Sequence, residues 1–110
     1  MASRALTEAE KDTIRRCLVA ILDGPFIDDW EFKTRLGFDR MTLRSILSAR
    51  PYLDCNSEDP TVQLAIDNCM NEVVNGVDIS PTQWDRWFTV PRQEVKSTFS
   101  TWGALRGEFC

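Results

Sequence analysis

The sequence predicts an all-α protein of about six helices, arranged as two pseudo-symmetric three-helix units that share one core. Two observations lead to this prediction. Apolar residues recur at helical spacing along the 110 residues, and no stretch alternates as a strand requires. In addition, residues 7–50 resemble residues 59–102 when the sequence is shifted by 52 positions without a gap.

The proposed repeat rests on seven identities in this window and on further positions that keep their apolar character. The identical pairs are Ile14/Ile66, Cys17/Cys69, Gly24/Gly76, Ile27/Ile79, Arg40/Arg92, Ser45/Ser97 and Ser48/Ser100. A loose match between unrelated amphipathic helices is the alternative. Because each half alone is near the size at which a core becomes marginal, we expect a single domain, residues 1–110.

The first unit opens with a helix predicted over residues 8–23. Thr7 and Glu10 have the spacing of a capping box, in which each side chain bonds the other residue's backbone N–H. One apolar face is formed by Ile14, Cys17, Leu18 and Ile21. The helix is expected to end at Gly24, which a proline follows.

Two shorter helices complete the first unit. One is predicted to begin at Asp28 or Asp29 and to end at the turn glycine, Gly37. Asp39 is suited to cap the next helix, which should run to Ala49. It should stop there because a proline two positions later disfavours helical geometry in the residue before it.

The second unit follows a polar linker over residues 52–58. Its helices are predicted over residues 60–75, 81–88 and 91–103, and each opens on a proline. Proline is tolerated at the first helical position because its missing N–H would have no partner there. The tail, residues 104–110, is expected to fray.

The composition argues against most enzyme classes and against a bound cofactor. The chain contains no histidine, which removes the commonest general base and the commonest metal ligand. The one marked carboxylate cluster is Asp28, Asp29 and Glu31. Such a cluster can hold a divalent ion, but acidic residues at a helix start also complement the positive end of the helix dipole. We favour the second interpretation and predict a protein that is not an enzyme.

The cysteines and the hydropathy pattern indicate a cytoplasmic protein. The four cysteines, at positions 17, 55, 69 and 110, form no Cys-x-x-Cys motif. The longest apolar run, residues 17–22, is too short to span a membrane, and the N-terminus lacks a signal-peptide core. We therefore expect free thiols in a reducing compartment, with Cys17 and Cys69 buried.

The four tryptophans are the first candidates for a partner-binding surface, since tryptophan is enriched in binding hot spots. Trp84 aligns with a phenylalanine in the repeat, which predicts a core position. Trp87 aligns with Arg35 and Trp102 with Arg50, which predicts surface or partly buried positions. Trp87 and Trp102 are therefore the candidate partner-binding residues, with simple packing as the alternative.

Residues 29–48 also fit a helix-turn-helix with Gly37 as the turn glycine. Residues 33–50 carry five basic residues and one acidic residue, a local net charge of +4. The candidate nucleic-acid contacts on the second helix are Arg40, Thr42, Arg44 and Ser45. Against this motif, Lys33 occupies the position where the two helices cross and a small residue is usual.

The stretches from Ile21 to Phe32 and from Ala65 to Gly76 resemble segments of small, uncharacterised bacterial all-helical proteins. The resemblance is spread over most of the chain. It implies a bacterial, cytosolic helical domain and carries no functional residues across.

We therefore predict a non-enzymatic, helical protein–protein interaction module. Residues 1–52 have nine basic and eight acidic side chains, a net charge of +1, and residues 53–110 have four and nine, a net charge of −5. The acidic second half would attract a basic partner, as an inhibitor or immunity protein does, or the chain would form a homodimer. The alternative is a DNA-binding regulator of the helix-turn-helix type. No contact with a membrane is expected.

Overall fold

The computed structural model describes residues 6–48 and 59–108, the last four by their backbone alone, and all regular structure in this part of the chain is helical. Six α-helices are formed: α1 (Glu8–Asp23), α2 (Asp29–Leu36), α3 (Arg40–Ser48), α4 (Pro60–Asn71), α5 (Pro81–Trp87) and α6 (Arg92–Glu108). The all-α class is thus confirmed. The predicted linker at 52–58, the end of α3 at Ala49 and residues 109–110 lie outside the described residues.

Helix starts follow the local signals in the sequence. Thr7 and Glu10 form the predicted capping box at α1. Asp59 caps α4 by accepting a hydrogen bond from the backbone N–H two residues later. Ser80 and Gln83 form a second capping box at α5, which begins with a proline. Each cap satisfies N–H groups that have no partner within the helix.

Gly37 makes the turn between α2 and α3 and has a left-handed backbone, with φ of 84°. Among the described residues it is the only one with positive φ. Gly24 has an extended backbone, and a β-carbon there would collide with the carbonyl oxygen of Ala20. Close approach, and not a left-handed turn, accounts for glycine at position 24.

The helix predicted over residues 60–75 is regular only as far as Asn71. It continues as one π-helical turn, Glu72–Gly76, which we call the π-turn. The Glu72 side chain is buried and lies over Gly76, where any β-carbon would meet its carboxylate. The Arg35 guanidinium of α2 binds this carboxylate with two hydrogen bonds, of 2.6 and 3.3 Å. The change of helix type is therefore accompanied by a contact between Arg35 and Glu72, which are 37 positions apart in the sequence.

All six helices contribute to one hydrophobic core. Its largest fully buried side chains are Phe32, Ile14, Leu18, Ile21, Leu36, Leu43, Ile66, Met70, Val62, Val73, Val95 and Cys17. Helices α1 and α4 lie side by side at its centre and bury Cys17 and Cys69, both with free thiols. Burial raises the pKa of Cys17 to about 12. The pKa of Cys69 is raised too, by burial first and then by the negative charges of Cys17 and Glu72.

Helix α6 is longer than predicted. The sequence indicated an end near Gly103 and a frayed tail, but the helix continues to Glu108 and packs against α1 and α4. In the described part of the chain, no helix has both the length and the apolar character needed to cross a membrane.

Candidate partner-binding groove

Trp87 is the last residue of α5 and the only predicted partner-binding residue that reaches the surface. Trp84 and Phe88, on the inner side of the same segment, are buried and stacked with ring centres 4.2 Å apart. Trp87 instead faces α1 and is half-buried. Its ring meets the ring of Phe26 edge-on, with centres 6.3 Å apart. This contact fixes the indole at the surface in a defined orientation.

A groove runs along both sides of Trp87, between α1 and α5. Its first part has a volume of about 320 Å³ and is lined by Asp12, Arg15, Arg16, Val19, Arg86 and Trp87. Its second part, of about 360 Å³, is lined by Asp23, Pro25, Gln83, Arg86 and Trp87. Because the two parts share Arg86 and Trp87, they form one surface, which we call the Trp87 groove.

The unpaired charges of the Trp87 groove are positive. The Arg16 guanidinium donates to Asp12 at 2.8 Å, and Asp23 lies 3.9 Å from Arg44. The Nη1 atom of Arg15 is buried and has no hydrogen-bond partner among the described residues. Arg86 is exposed and forms no ion pair with any described residue. Because the exposed Arg86 guanidinium lies beside the Trp87 ring, the groove is suited to a carboxylate placed beside an apolar group.

Trp30 and Met41 are the two most exposed large apolar residues of the described chain, with 77% and 76% of their surface accessible. Asp29 precedes Trp30, and Arg40 precedes Met41. The two charged residues form an ion pair that joins the start of α2 to the start of α3. Trp30 and Met41 therefore lie at the same end of this helix pair. Neither residue was among the partner-binding residues predicted from the sequence. The acidic and polar neighbours of Trp30 in the sequence were the available signal for its exposure.

Trp102 is buried, with 2% of its surface accessible, so its prediction as a partner-binding residue is wrong. It lies well inside α6, on the face that packs into the core. Val95 and Thr98 are buried on the same face, at the spacing of one helix stripe. The surface position of Trp102 was predicted from its alignment with position 50, which lies outside the described residues. The helical spacing from Val95 and Thr98 was the better guide to its burial.

Arg40 is a structural residue, which corrects its prediction as a DNA contact. Its guanidinium donates to the Asp29 carboxylate and to the carbonyl oxygens of Leu22 and Ile27. It also lies 4.5 Å from the centre of the Phe32 ring. These contacts engage the guanidinium within the fold and leave it unsuited to reading a base edge.

The other predicted nucleic-acid contacts differ in their availability. Thr42 donates its backbone N–H and its hydroxyl to the Asp39 carboxylate, at 2.8 and 2.9 Å, and these bonds hold the pKa of Asp39 below its usual value. Asp39 thereby caps α3 as predicted. Arg44 and Ser45 are exposed on α3. The turn at Gly37 joins α2 to α3, and two of the four candidate residues are exposed.

The carboxylate cluster at the start of α2 is divided among separate partners. Asp29 binds Arg40, and Glu31 lies 3.7 Å from Arg35 on the next turn. Asp28 precedes the helix, and its side chain makes no capping hydrogen bond. Within residues 6–48 and 59–108, no three histidine, cysteine or acidic side chains are grouped as a metal site requires.

Comparison of the chain with protein-family models, with curated proteins and with solved structures finds no match.

Proposed function

We propose that this chain is a non-enzymatic protein–protein interaction module that binds its partner through the Trp87 groove. One observation carries the proposal. A tryptophan held at the surface by Phe26 lies beside exposed Arg86, which forms no ion pair with any described residue. Tryptophan and arginine are the residue types that contribute most to binding when a partner excludes water from them.

The charges of the groove bear on the kind of partner. The net charge of the second half predicts a basic partner drawn by the long-range field of the molecule. At the groove itself, the unpaired groups are cationic and favour an acidic contact. Long-range attraction changes the association rate, whereas a buried contact changes the dissociation rate. The salt dependence of each rate therefore separates the two effects.

The experiment is a comparative capture from the source cells. Tagged wild-type chain, Trp87→Ala, Arg86→Glu and Leu64→Ala are used in parallel, and the captured proteins are quantified by mass spectrometry. Leu64 is the control because it is exposed and apolar but lies on α4, outside the groove. Arg86 is exposed, so its variant tests the groove even if Trp87→Ala unfolds. Circular dichroism checks that each variant is folded.

We expect a partner that binds the wild type and Leu64→Ala, and binds both groove variants at least about tenfold more weakly. An unchanged set of captured proteins across all four chains would contradict the proposal. We also propose that the protein acts in the cytoplasm, supported by the two buried free thiols, which suit a reducing compartment.

DNA binding is the second candidate, supported by the turn at Gly37 that joins α2 to α3 and by exposed Arg44 and Ser45. Fluorescence anisotropy with duplex DNA at several salt concentrations tests it. Binding that weakens with salt and with Arg44→Ala would favour this function. The absence of salt-dependent affinity in the wild type would exclude it.

A further inference from the structure

The chain carries on its own surface a segment with the chemistry that the Trp87 groove is suited to bind. Asp28 and Trp30 stand one residue apart at the start of α2, and both are exposed. The Asp28 carboxylate makes no capping bond, and Trp30 is 77% exposed. This pair, which we call the α2 knob, thus presents an unengaged carboxylate beside a large apolar side chain.

The groove offers the complementary groups. Arg86 at its rim is exposed and is a donor for a carboxylate. The Trp87 ring is a surface for an aromatic side chain. A positive, aromatic groove and a negative, aromatic knob therefore match in both charge and polarity. Leaving a tryptophan as exposed as Trp30 in water forgoes the gain from burying it.

The knob lies close to the groove along the chain. Pro25 lines the groove, and Asp28 follows it by three residues, which span at most about 11 Å of chain. Phe26, between them, contacts Trp87. Two patches this close on one surface are suited to a two-fold dimer, because the axis places each knob opposite the groove of the other copy.

We infer that the occupant of the Trp87 groove is a second copy of this chain. The dimer is reciprocal and two-fold: Asp28 and Trp30 of each copy lie in the groove of the other. This inference rests on the proposed function of the groove and names its partner. It buries Trp30 and Trp87 together and supplies Arg86 with a carboxylate.

The test is a charge exchange followed by mixing, read by sedimentation velocity at low salt. Arg86→Glu places a negative charge in the groove, opposite Asp28 of the other copy. Asp28→Lys places a positive charge on the knob, opposite Arg86. Each variant alone should dimerise at least about tenfold more weakly than the wild type. An equimolar mixture should regain dimers, because both reciprocal contacts then join opposite charges.

Two controls accompany the exchange. Lys96→Glu reverses an exposed charge outside the groove and should dimerise as the wild type does. Trp30→Ala removes the aromatic part of the knob and should weaken the dimer by about thirtyfold, the usual effect of a hot-spot tryptophan. All the substituted positions are exposed, and thermal unfolding of each variant confirms that it folds.

Three results would overturn the inference. They are a wild type that stays monomeric to millimolar concentration, a dimer indifferent to Arg86→Glu and Asp28→Lys, or a mixture that fails to regain dimers. The first of these leaves the proposed function standing if capture of another protein still depends on Trp87. If neither self-association nor capture depends on Trp87, the proposed function fails as well.

Discussion

Arg40 and Arg92, which are 52 positions apart, make the same two contacts. Each guanidinium donates to the carbonyl oxygen of an isoleucine 13 residues earlier, and each lies 4.5 Å from the centre of an aromatic ring. The isoleucines are Ile27 and Ile79, and the rings belong to Phe32 and Trp84. Arg40, Ile27 and Phe32 align with Arg92, Ile79 and Trp84, each pair 52 positions apart in the sequence. This agreement supports the proposed internal repeat.

The first prediction concerns Arg40. Arg40→Ala should lower the free energy of unfolding by about 2–3 kcal/mol, because it leaves two backbone carbonyls and Asp29 without their charged donor. Arg40→Lys should recover only part of the loss, since a single ammonium cannot replace the guanidinium fork. Urea denaturation followed by circular dichroism measures both. Arg44→Ala is the control and should change stability by less than about 0.5 kcal/mol. Equal effects at the two positions would refute the structural role.

The second prediction concerns Arg35 and Glu72, which join α2 to the π-turn. A double-mutant cycle with Arg35→Ala and Glu72→Ala should give a coupling energy of about 1–3 kcal/mol, because Glu72 is buried and its bond is bidentate. The exposed pair Asp12 and Arg16 serves as the reference and should couple by less than about 0.5 kcal/mol. Similar coupling energies in the two pairs would show that burial does not strengthen the interaction between Arg35 and Glu72.

The third prediction separates two glycines. Gly37→Ala should destabilise the protein by about 1–2 kcal/mol, because a side chain is strained at φ of 84°. Gly103→Ala should stabilise it by about 0.5–1 kcal/mol, since Gly103 lies inside α6 with open space around its missing β-carbon. Thermal unfolding of both variants provides the measurement. A neutral Gly37→Ala would argue against the left-handed turn.

The fourth prediction is a loss of stability in alkali. The pKa of Cys17 is raised from 9.0 to about 12 by burial, and that of Cys69 is raised as well. The pKa of each thiol is higher in the folded state than in the unfolded state. Its contribution to stability is therefore complete at pH values below the unfolded-state pKa. That contribution is lost as pH rises above about 9, where the unfolded thiols ionise and the buried ones do not. Ionisation of each thiol in the unfolded state should lower the free energy of unfolding by about 1 kcal/mol at about pH 10 relative to pH 8.

The variant carrying Cys17→Ala and Cys69→Ala is the control for this effect. Its stability should depend less steeply on pH above about 9, because its core has no ionisable thiol. Urea denaturation at several pH values measures the slope in both proteins. Parallel slopes would mean that the thiols are not the cause. All other ionisable groups are common to both proteins, so their contributions cancel.

The sequence was sufficient where structure depends on near neighbours. The capping box of Thr7 and Glu10, the cap by Asp39 and the turn at Gly37 each involve residues within one helical turn. These signals fixed most helix starts to within a residue or two. The periodic apolar stripes likewise predicted the buried faces of α1 and α4.

The sequence was insufficient where a distant contact decides the outcome. Arg40 looked like a DNA contact because nothing nearby showed that Ile27 and Phe32 would hold its guanidinium. The π-turn depends on Arg35, which is 37 residues away from Glu72. The groove itself was beyond prediction, because it exists only where α1 meets α5. Trp87 was found by its alignment with Arg35, whereas its neighbour Arg15 gave no signal.

Fluorine NMR of the chain labelled with 5-fluorotryptophan tests the central claim, that Trp30 and Trp87 form the binding surface, most directly. The signals are assigned with single Trp→Phe variants and followed in a dilution series from millimolar to micromolar concentration. We predict that the Trp30 and Trp87 signals shift with concentration while those of buried Trp84 and Trp102 stay constant. Shifts confined to Trp84 and Trp102, or four constant signals, would contradict the account.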